Sequence, residues 1–497
     1  MALKFGTSGV RGLVTEMTDR ECYLYARAFL RYLKAKTQPK RVALAGDLRS
    51  STPRIMKAVA YAVAEEGMLL DHCGFISTPA VTYHAMQNEM ASVMVTGSHI
   101  PDDRNGIKFN MPWGEVLKED EGHISALCAE LREQDAALPR DANAPFDAQC
   151  MLNPDFVPEL DAPNPDALNE YIKRYIAFFP ENCLAGRKIV CYEHSSVSRD
   201  LLTELLARLG AEVVPVGRSD TFVPVDTEAV AEPDRLAAWV KEHGADALAT
   251  TDGDGDRPLL VDDCGAVIRG DLLGILVASY LNADSMSIPV SCNTAAEKCE
   301  RFANVSRTRI GSPYVIASMQ AAQASGAKVV VGYEANGGFL TASDVTNPDT
   351  GTVLKALPTR DALLPLLAAL HGAVKAAKPL SATVAELPPR YTFSGLLREF
   401  PNALGKRVIE RFKAEKRSFA APFLAETFGA IAGFDFTDGA RITFEDGNIV
   451  HFRPSGNAPE FRCYTESDTE QIAIANNGKA LAILRDQVLP AMEGLEK

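Results

Sequence analysis

An apolar strand pattern followed by a polar loop and an amphipathic helix recurs through the first three quarters of the chain. Three copies begin at Arg41 (RVALAG), Arg187 (RKIVCYEHSS) and Ser287 (SIPVSCNTAA). Strands that alternate with helices in this way favour largely parallel sheets that carry helices on both faces. The sequence therefore predicts three similar α/β domains with mixed sheets.

Ligands of open α/β sheets bind outside the carboxyl ends of the strands. Three loops at predicted strand ends are unusually polar and rich in glycine, and they cover 96–101, 251–257 and 332–338. These loops are the first candidates for catalytic or ligand-binding sites.

The last quarter of the chain follows another pattern. A strand that starts near Ala440 turns at Asp446 and Gly447 and returns as a second strand, which predicts a hairpin. A helix is expected over 469–489. These elements predict a smaller α+β domain at the C-terminus.

Two stretches, 143–166 and 376–390, are predicted to be linkers because of their position and composition. The expected domains are 1–150 with the Ser98 loop, 166–268 with the acidic loop, 269–375 with the third loop and 388–497.

The composition argues against several classes of function. The 497 residues carry a net charge of −14, which disfavours broad binding to nucleic acid or anionic lipid. Ten scattered cysteines without a C-x-x-C pair indicate reduced thiols. No long apolar run and no apolar N-terminal stretch is present, so a cytoplasmic protein without a membrane span is expected. A monomer or homodimer is also expected.

The segment TDGDGDR carries carboxylates at every second position, at Asp252, Asp254 and Asp256. The glycines let the chain wrap so that the three side chains converge. Converging carboxylates repel one another unless a hard cation is bound, and oxygen ligands favour Mg²⁺ or Ca²⁺. An EF-hand loop does not fit, because Arg257 stands where that loop needs glycine. A solvated acidic turn is the alternative.

The segment RPSGNAPEFR predicts an anion-binding loop. Arg453, the Ser455 hydroxyl, backbone N–H groups around Gly456 and the Arg462 guanidinium would all donate hydrogen bonds. The alternative is an ordinary polar loop after a hairpin.

Two further loops give weaker signals. GYEANGG places Glu334 and Asn336 at a strand end, where a carboxylate and an amide suit sugar hydroxyls. RTRIGSP adds Arg309. A purely structural role explains either loop about as well.

Ser98 follows the apolar run SVMV in the segment TGSHIPDDRNGIKF. This segment lacks the G-x-S-x-G pattern of a hydrolase nucleophile. His99 is adjacent, and neighbouring side chains on an extended strand diverge, so it is a poor proton acceptor for Ser98. Alone, a turn serine is favoured over a nucleophile. The acidic loop shifts this balance, because a phosphoserine carries a charge of about −1.5 to −2 and would complete the cation's ligands.

Five segments together resemble one family. FGTSGVRG, TGSHIPDDRNGIKF, TDGDGDR, GYEANGG and RPSGNAPEFRCYTE occur in the order and approximate spacing of the α-D-phosphohexomutases, in the style of the bacterial phosphomannomutases and phosphoglucomutases. The resemblance spans Phe5 to about Glu466. It implies three similar α/β domains and a smaller α+β domain around a central cleft.

The resemblance also implies an activity. Such an enzyme interconverts hexose 1-phosphate and hexose 6-phosphate through a phosphoserine and a bisphosphorylated sugar, with Mg²⁺ bound and hexose 1,6-bisphosphate as activator. Small hexose phosphates would be its partners, mannose phosphate first, with glucose or glucosamine phosphate as alternatives.

The family's functional positions carry over residue by residue. Those implied to be catalytic are Ser98, Arg11, His99 and Lys108. Those implied to bind the metal are Ser98, Asp252, Asp254 and Asp256. Those implied to bind substrate are Arg257, Arg309, Gly311, Glu334, Asn336, Arg453, Ser455, Gly456, Asn457 and Arg462.

The chain departs from the family pattern in three loops. Gly97 stands where alanine is commonest, Asn336 where serine is common, and Asn457 begins a pair that is often Thr-Glu. The second departure affects the loop that would recognise the sugar. A metal-dependent phosphatase and a sugar-phosphate-binding protein without catalysis are the rival interpretations.

Overall fold

The computed structural model describes residues 3–6, 9–137, 144–455 and 459–493. The chain forms two compact units. The first unit consists of Met1–Met286 with Gly311–Val384, and the second unit consists of Ser287–Ile310 with Ala385–Lys497.

The first α/β region is a seven-stranded sheet with four helices. Strands β3 and β4 are parallel, as are β3 and β5, whereas β6 is antiparallel to both β5 and β2. The strands are β1 (Lys4–Phe5), β2 (Gly9–Leu13), β3 (Arg41–Gly46), β4 (Leu69–Gly74), β5 (Ala91–Val95), β6 (Arg104–Met111) and β7 (Gly114–Glu115). The helices are α1 (Asp19–Lys36), α2 (Thr52–Glu65), α3 (Thr78–Gln87) and α4 (Lys118–Ala136).

The second α/β region repeats this plan with five strands. Strand β8 is parallel to β9 and β10, and β11 is antiparallel to β10. The helices are α5 (Asp166–Phe178), α6 (Arg199–Arg208) and α7 (Pro233–His243), and the strands are β8 (Lys188–Tyr192), β9 (Glu212–Val216), β10 (Ala247–Thr251), β11 (Pro258–Val261) and β12 (Val267–Ile268). Gly244, with φ of 56°, ends α7 in the left-handed conformation that favours glycine.

The third region contains the boundary between the units, which falls inside β13 after Met286. Within the first unit, β16 is antiparallel to β15 and to β19. Its strands are β13 (Ser285–Pro289), β14 (Asn304–Thr308), β15 (Val330–Tyr333), β16 (Phe339–Thr341), β17 (Val345–Thr346), β18 (Val353–Leu354) and β19 (Leu357–Asp361). Its helices are α8 (Gly270–Tyr280), α9 (Ala295–Lys298), α10 (Ser312–Ala324), α11 (Leu363–Lys375) and α12 (Leu380–Ala385).

The C-terminal region is a five-stranded antiparallel sheet in the order β20-β24-β23-β22-β21 with helices. Its elements are β20 (Tyr391–Leu397), α13 (Asn402–Glu415), α14 (Arg417–Phe428), β21 (Ile431–Asp435), β22 (Ala440–Phe444), β23 (Ile449–Pro454), β24 (Phe461–Ser467), α15 (Glu470–Ile483) and α16 (Leu489–Glu493). Strands β22 and β23 form the hairpin predicted at Asp446 and Gly447. Thr469 caps α15 by accepting a hydrogen bond from the Ile472 N–H.

The predicted fold class, α/β regions with mixed sheets and a smaller α+β region, is confirmed. The boundary between the two units after Val384 falls within the predicted linker 376–390, and this stretch also contains α12, whose Ser381 hydroxyl and N–H donate to Asp263. Apolar contacts also order part of 143–166: Phe146 and Leu152 belong to the core of the first region.

Two other expectations were tested. All ten cysteines are free thiols, as predicted. Across the described ranges, no helix combines the length and the apolar character that crossing a membrane requires.

Candidate active site

Ser98 lies in the turn between β5 and β6, and it is fully buried. Its φ of 58° is a left-handed conformation that costs a non-glycine residue about 1–2 kcal/mol. The Ser98 N–H donates to Thr96 Oγ1 at 2.8 Å, and this hydroxyl donates to Asp47 Oδ2 at 2.6 Å. The loop therefore holds the serine in a conformation that it would not adopt unaided.

The three aspartates lie in the tight turn between β10 and β11, and none is exposed to solvent. One ligand atom from each of Asp252, Asp254 and Asp256 lies within 4.8 Å of the others. A Cβ atom at Gly253 would lie 2.7 Å from the Ser98 carbonyl oxygen, so glycine is needed where the two loops meet. The sequence-based expectation of convergence is thus met in the geometry.

Ser98 and the acidic loop, 154 residues apart in sequence, are in direct contact. Ser98 Oγ donates to Asp252 Oδ2 at 2.5 Å. The other oxygen of Asp252 accepts from the backbone N–H groups of Asp256 and Arg257 at 3.1 and 3.2 Å. Burial, together with repulsion from Asp254 and Asp256, raises the pKa of Asp252 well above its usual value.

Lys108 places a buried ammonium against this loop. It lies on β6, and its Nζ donates to Asp254 Oδ2 at 2.5 Å and to Asp256 Oδ2 at 2.6 Å. Burial opposes ionisation of Asp256, but Arg360 and Lys108 outweigh it and hold the pKa of Asp256 below its usual value. Arg257 adds a third cation, with its Nε 3.6 Å from Asp256 Oδ1.

The metal expected here has an observable fit. Asp254 Oδ1 and Asp256 Oδ1 are buried and accept no hydrogen bond from any residue that the structure describes. Buried carboxylate oxygens without donors suit a hard divalent cation. The donor set is all oxygen, as Mg²⁺ prefers.

His99 is closer to Ser98 than the sequence argument allowed. The backbone at Ser98 is left-handed rather than extended, and it brings His99 Nδ1 to 3.4 Å from Ser98 Oγ. The divergence assumed from an extended strand is therefore wrong, although this distance is long for a hydrogen bond. Burial, followed by the charge of Arg257, lowers the pKa of His99 to about 3.

Arg11 lies on β2, in register with Gly106 of β6. Burial, then the charges of Arg257 and Arg360, lower the pKa of Arg11 to about 10, while Asp254 and Asp256 act in the opposite direction. The structure therefore brings Arg11, His99 and Lys108 to the same group of charges as Ser98.

Glu334 and Asn336 occupy the turn between β15 and β16, and both are buried. Glu334 Oε2 accepts from Arg360 Nη1 at 3.2 Å. Asn336 Oδ1 accepts from the Gly338 N–H at 3.0 Å, so its side-chain oxygen stabilises the turn itself. Of the two, Glu334 is the residue whose partner links this loop to the acidic loop.

The second unit holds the predicted anion-binding residues. Arg453 and Arg462 lie directly opposite each other on β23 and β24. Arg453 Nε donates to Asp438 Oδ2 at 2.8 Å, and Arg462 Nη2 donates to Glu460 Oε2 at 3.3 Å. Two arginines in register repel one another, which favours an anion between them.

Several predicted residues of this group have other placements. Ser455 is buried at the end of β23, and its N–H donates to the Glu460 carbonyl at 2.8 Å. Gly456 and Asn457 lie outside the described residues. Arg309 is exposed, and its Nε donates to the Thr437 carbonyl at 3.3 Å within the second unit. Gly311 belongs to the first unit and precedes α10.

Comparisons with known proteins agree on a family. Models of the phosphoglucomutase/phosphomannomutase α/β/α domains I, II and III and of the C-terminal domain match residues 2–135, 169–265, 269–391 and 401–476. A phosphomannomutase of Sinorhizobium fredii is 44% identical over 494 residues, covering 98% of this chain and 100% of that protein. The chain belongs to the phosphoglucomutase/phosphomannomutase family.

Two further matches are similar in extent. A phosphomannomutase of Salmonella muenchen is 42% identical over 475 residues, covering 95% of this chain and 93% of that protein. A phosphoglucomutase/phosphomannomutase family protein of Burkholderia thailandensis has the same fold, with a TM-score of 0.72, 19% identity and coverage of 96% of both chains. As a member of this family, the chain is an isomerase of the mutase type.

Sequence reasoning missed Arg49, which supports the Ser98 loop of this phosphohexomutase. Arg49 is fully buried, and its guanidinium stacks 3.9 Å from the Phe222 ring. It donates at 2.5–3.0 Å to four loop carbonyl oxygens, those of Ser98, Ile100, Pro101 and Arg104. A Cβ atom at Gly97 would lie 2.5 Å from Arg49 Cζ, which explains why this chain has glycine there.

Arg360 on β19 was also missed, although it contacts two of the predicted loops. Arg360 lies within the short strand β19 and not in a polar, glycine-rich loop at a strand end, so no sequence motif marked it. Only the folded chain places it beside Asp256 and Glu334.

A second group of residues whose side chains can bind metals has a structural role. Asp71, Cys73 and His84 lie close together and are buried. Both ring nitrogens of His84 already meet carboxylates, at 3.0 Å from Asp71 Oδ2 and 2.7 Å from Glu170 Oε2. Burial raises the pKa of the Cys73 thiol to about 12. This group is a closed network of hydrogen bonds.

Proposed function

We propose that this family member interconverts hexose 1-phosphate and hexose 6-phosphate through a phosphoserine at Ser98, with mannose phosphate as its substrate. The observation that carries the proposal is the contact between Ser98 Oγ and Asp252 Oδ2 at 2.5 Å. This contact joins the candidate phosphoryl carrier to three buried carboxylates.

The reaction needs two phosphoryl transfers. First, a hydroxyl oxygen of the hexose phosphate bonds to the phosphorus on Ser98 while the bond from phosphorus to Ser98 Oγ breaks; the sugar hydroxyl loses its proton and Ser98 Oγ gains one. Then Ser98 Oγ, having lost its own proton, bonds to the other phosphate of the bisphosphorylated sugar, and the sugar oxygen that leaves gains a proton. The enzyme is phosphorylated again, with no net change in protons.

Between the two transfers, Asp252 orients the free serine. Its Oδ2 accepts the Ser98 hydroxyl, while its Oδ1 is fixed by two backbone N–H groups of its own loop. Ser98 Oγ is therefore held in one position when the second phosphate approaches, and positioning of this kind supplies a large part of phosphoryl-transfer catalysis.

Asp252, Asp254 and Asp256 would hold Mg²⁺, with phosphorylated Ser98 as a further ligand. When bound, this ion neutralises charge on the phosphoryl oxygens. Around it, Lys108 and Arg257 bring cations to the same loop, so the chain also counters this negative charge by itself.

The other predicted residues take roles in binding. Glu334 and Asn336 would bind the sugar hydroxyls, and Arg257 would contact a phosphate. Arg453, Ser455, Gly456, Asn457 and Arg462 would bind the phosphate that is not transferred, with Arg309 and Gly311 contributing to substrate binding. The in-register arginine pair supports the phosphate role.

The proton of the attacking hydroxyl has three candidate acceptors. His99, Lys108 and Arg11 all lie near Ser98 or its acidic partners. Lys108 donates to two carboxylates at once, which would hold its ammonium in place beside the reaction. The choice among the three stays open.

Mannose phosphate is proposed because the relatives at 44% and 42% identity, matched over almost the whole chain, are named phosphomannomutase. The alternatives are glucose and glucosamine phosphates. Activation by hexose 1,6-bisphosphate, the cytoplasmic location, the monomeric or dimeric state and the four domain boundaries stay predictions.

The decisive experiment follows phosphate position by phosphorus NMR. Purified protein is incubated with Mg²⁺, a trace of hexose 1,6-bisphosphate and the 1-phosphate of mannose, glucose or glucosamine in separate samples. Fastest conversion of mannose 1-phosphate to the 6-phosphate is expected. Faster conversion of another sugar would reassign the substrate, free inorganic phosphate would indicate a phosphatase, and no change would indicate a binding protein.

A further inference from the structure

Arg360 connects side chains from three α/β regions at one point. Its side chain is 3% exposed and comes from β19 of the third region. Its guanidinium contacts Asp256 of the second region and Glu334 of the third, and it is linked through Ser312 to Glu115 of the first region.

The hydrogen bonds of Arg360 form a fork between two carboxylates. Nε and Nη2 each lie 3.0 Å from Asp256 Oδ2. Nη1 donates to Glu334 Oε2 at 3.2 Å and to Ser312 Oγ at 3.1 Å. Each of the three nitrogens thus contacts a protein group, which suits a role through these residues rather than direct contact with a substrate.

The surroundings fix this fork in place. Ser312 Oγ donates to Glu115 Oε2 at 2.6 Å, and Thr359 Oγ1 donates to Glu115 Oε1 at 2.8 Å. A Cβ atom at Gly338 would lie 2.6 Å from Arg360 Cδ, so the glycine after Gly337 leaves room for the arginine stem. A planar guanidinium can span two carboxylates in this way, whereas a lysine ammonium is a single point charge.

We propose that Arg360 is a positioning residue that fixes the Glu334 carboxylate of the sugar loop relative to Asp256 of the acidic loop. The inference rests on the proposed function, since it assigns Glu334 to the sugar. A substrate that reacts at either end must present two sets of hydroxyls to one carboxylate. Glu334 therefore has to stay in one orientation. Among the hydrogen bonds that the structure describes for Glu334, Arg360 is the one cationic donor.

The first test is a double-mutant cycle of Arg360→Gln, Glu334→Gln and both together. Arg360→Gln is expected to lower kcat/KM by roughly 100-fold, as a misplaced contact group does. The kcat/KM of the double variant is expected to lie within about threefold of that of the less active single variant. The reason is that the two changes remove the same interaction. Effects that multiply would overturn the proposal.

A second measurement separates positioning from loss of folded protein. Partial unfolding lowers the amount of active enzyme and leaves KM unchanged, whereas a disordered Glu334 raises KM. Calorimetric titration of mannose 6-phosphate into protein in EDTA is expected to give about tenfold weaker binding for Arg360→Gln. Unchanged binding and an unchanged KM would refute the role.

Gly338→Ala provides a variant that displaces Arg360 and keeps its charge. The added methyl group should shift the guanidinium and raise KM in the same direction, by about tenfold. Arg208→Gln, which removes an exposed arginine paired with Glu204 on α6, is the matched control and should behave as wild type. If Arg360→Gln does not fold, Gly338→Ala decides the question.

The wild-type arm keeps the two proposals distinct. Absence of isomerisation by the wild-type protein would remove the proposed function. If Gly338→Ala and Arg360→Gln isomerise the substrate at the wild-type rate, only the proposed role of Arg360 is refuted.

Discussion

The acidic loop of the first unit and the arginine pair of the second unit handle charge in opposite ways. Asp252, Asp254 and Asp256 are completely buried, and cations of the chain already lie against them. Arg453 and Arg462 keep 19% and 42% of their side chains exposed, and each has one acidic partner.

The difference follows from the cost of removing a charge from water. A buried carboxylate needs counter-charges built into the fold, because an unpaired one costs several kcal/mol, on the order of 3–5 kcal/mol when a partner is lost. A partly exposed arginine retains some water until an anion arrives, and its surface ion pairs contribute only about 0–1 kcal/mol. Changes in the first unit should thus affect catalysis and stability together, and changes in the arginine pair mainly binding.

Ser98→Ala should have the largest effect. Removing the proposed phosphoryl carrier is expected to lower kcat by roughly 10⁴-fold or more, as the loss of a nucleophile does in other enzymes. Phosphorus NMR of mannose 1-phosphate conversion measures it. Ser50→Ala, an exposed serine bonded to Asp102, is the control. Retention of full activity by Ser98→Ala would falsify the phosphoserine mechanism.

Asp254→Asn should come next, because it removes a charged residue from the proposed metal site. Mg²⁺ affinity measured by calorimetry and kcat/KM at low Mg²⁺ are both expected to fall by at least about 100-fold, beyond what loss of a supporting residue costs. Asp344→Asn, which breaks an exposed pair with Lys355, should change neither quantity. Normal Mg²⁺ binding by Asp254→Asn would rule out this loop as the metal site.

Arg453→Ala should separate binding from stability. Loss of charged hydrogen bonds to phosphate, about 1.5–3 kcal/mol, corresponds to a KM increase of roughly 10- to 100-fold. The thermal midpoint should move by less than about 2 °C, because the ion pair between Arg453 and Asp438 is partly exposed to water. Arg485→Ala, at an exposed pair with Asp486, is the control. An unchanged KM would mean that this arginine does not hold the substrate.

Gly253→Ala, in the first unit, should lower both the activity and the stability. The new methyl group would lie 2.7 Å from the Ser98 carbonyl oxygen, so the two loops must separate slightly. We expect kcat to fall about tenfold and the free energy of unfolding to fall by about 1–3 kcal/mol. Enzyme kinetics and urea unfolding test this. A variant with normal kinetics would show that the close approach of the loops is not needed.

Gly478→Ala in the second unit should give the smallest effect. This glycine lies within α15, and a Cβ atom there would meet nothing within 4 Å. The change should raise the free energy of unfolding by about 0.5–1 kcal/mol and leave the kinetics unchanged. Lower stability would indicate a contact that the fold does not reveal.

Local chemistry made much of this molecule predictable. The strand pattern gave β3, β5, β8 and β10, and the Asp-Gly turn gave the β22–β23 hairpin. The same patterns marked the strand ends that hold Ser98, Asp252 and Glu334. The helix α12 was missed because its six residues are too few for a clear periodicity.

Other features depend on contacts between distant segments. Arg49 is separated from Ser98 by 49 residues, and Arg360 from Asp256 by 104. A lone arginine near a strand looks the same in a sequence whether it is solvated or buried between loops. The approach of His99 to Ser98 likewise depends on a positive φ that a serine rarely adopts.

The sequence by itself determined which loops are candidates for chemistry, because residue types and their spacing limit what a short segment can bind. The spacing of Asp252, Asp254 and Asp256 predicted their convergence, which the structure shows. Only the tertiary structure decided the partner of each carboxylate. Ser98 donates to Asp252, Lys108 donates to Asp254 and Asp256, and Arg360 contacts both Asp256 and Glu334. Buried charges must be paired, and the partner comes from whichever strand the fold brings alongside.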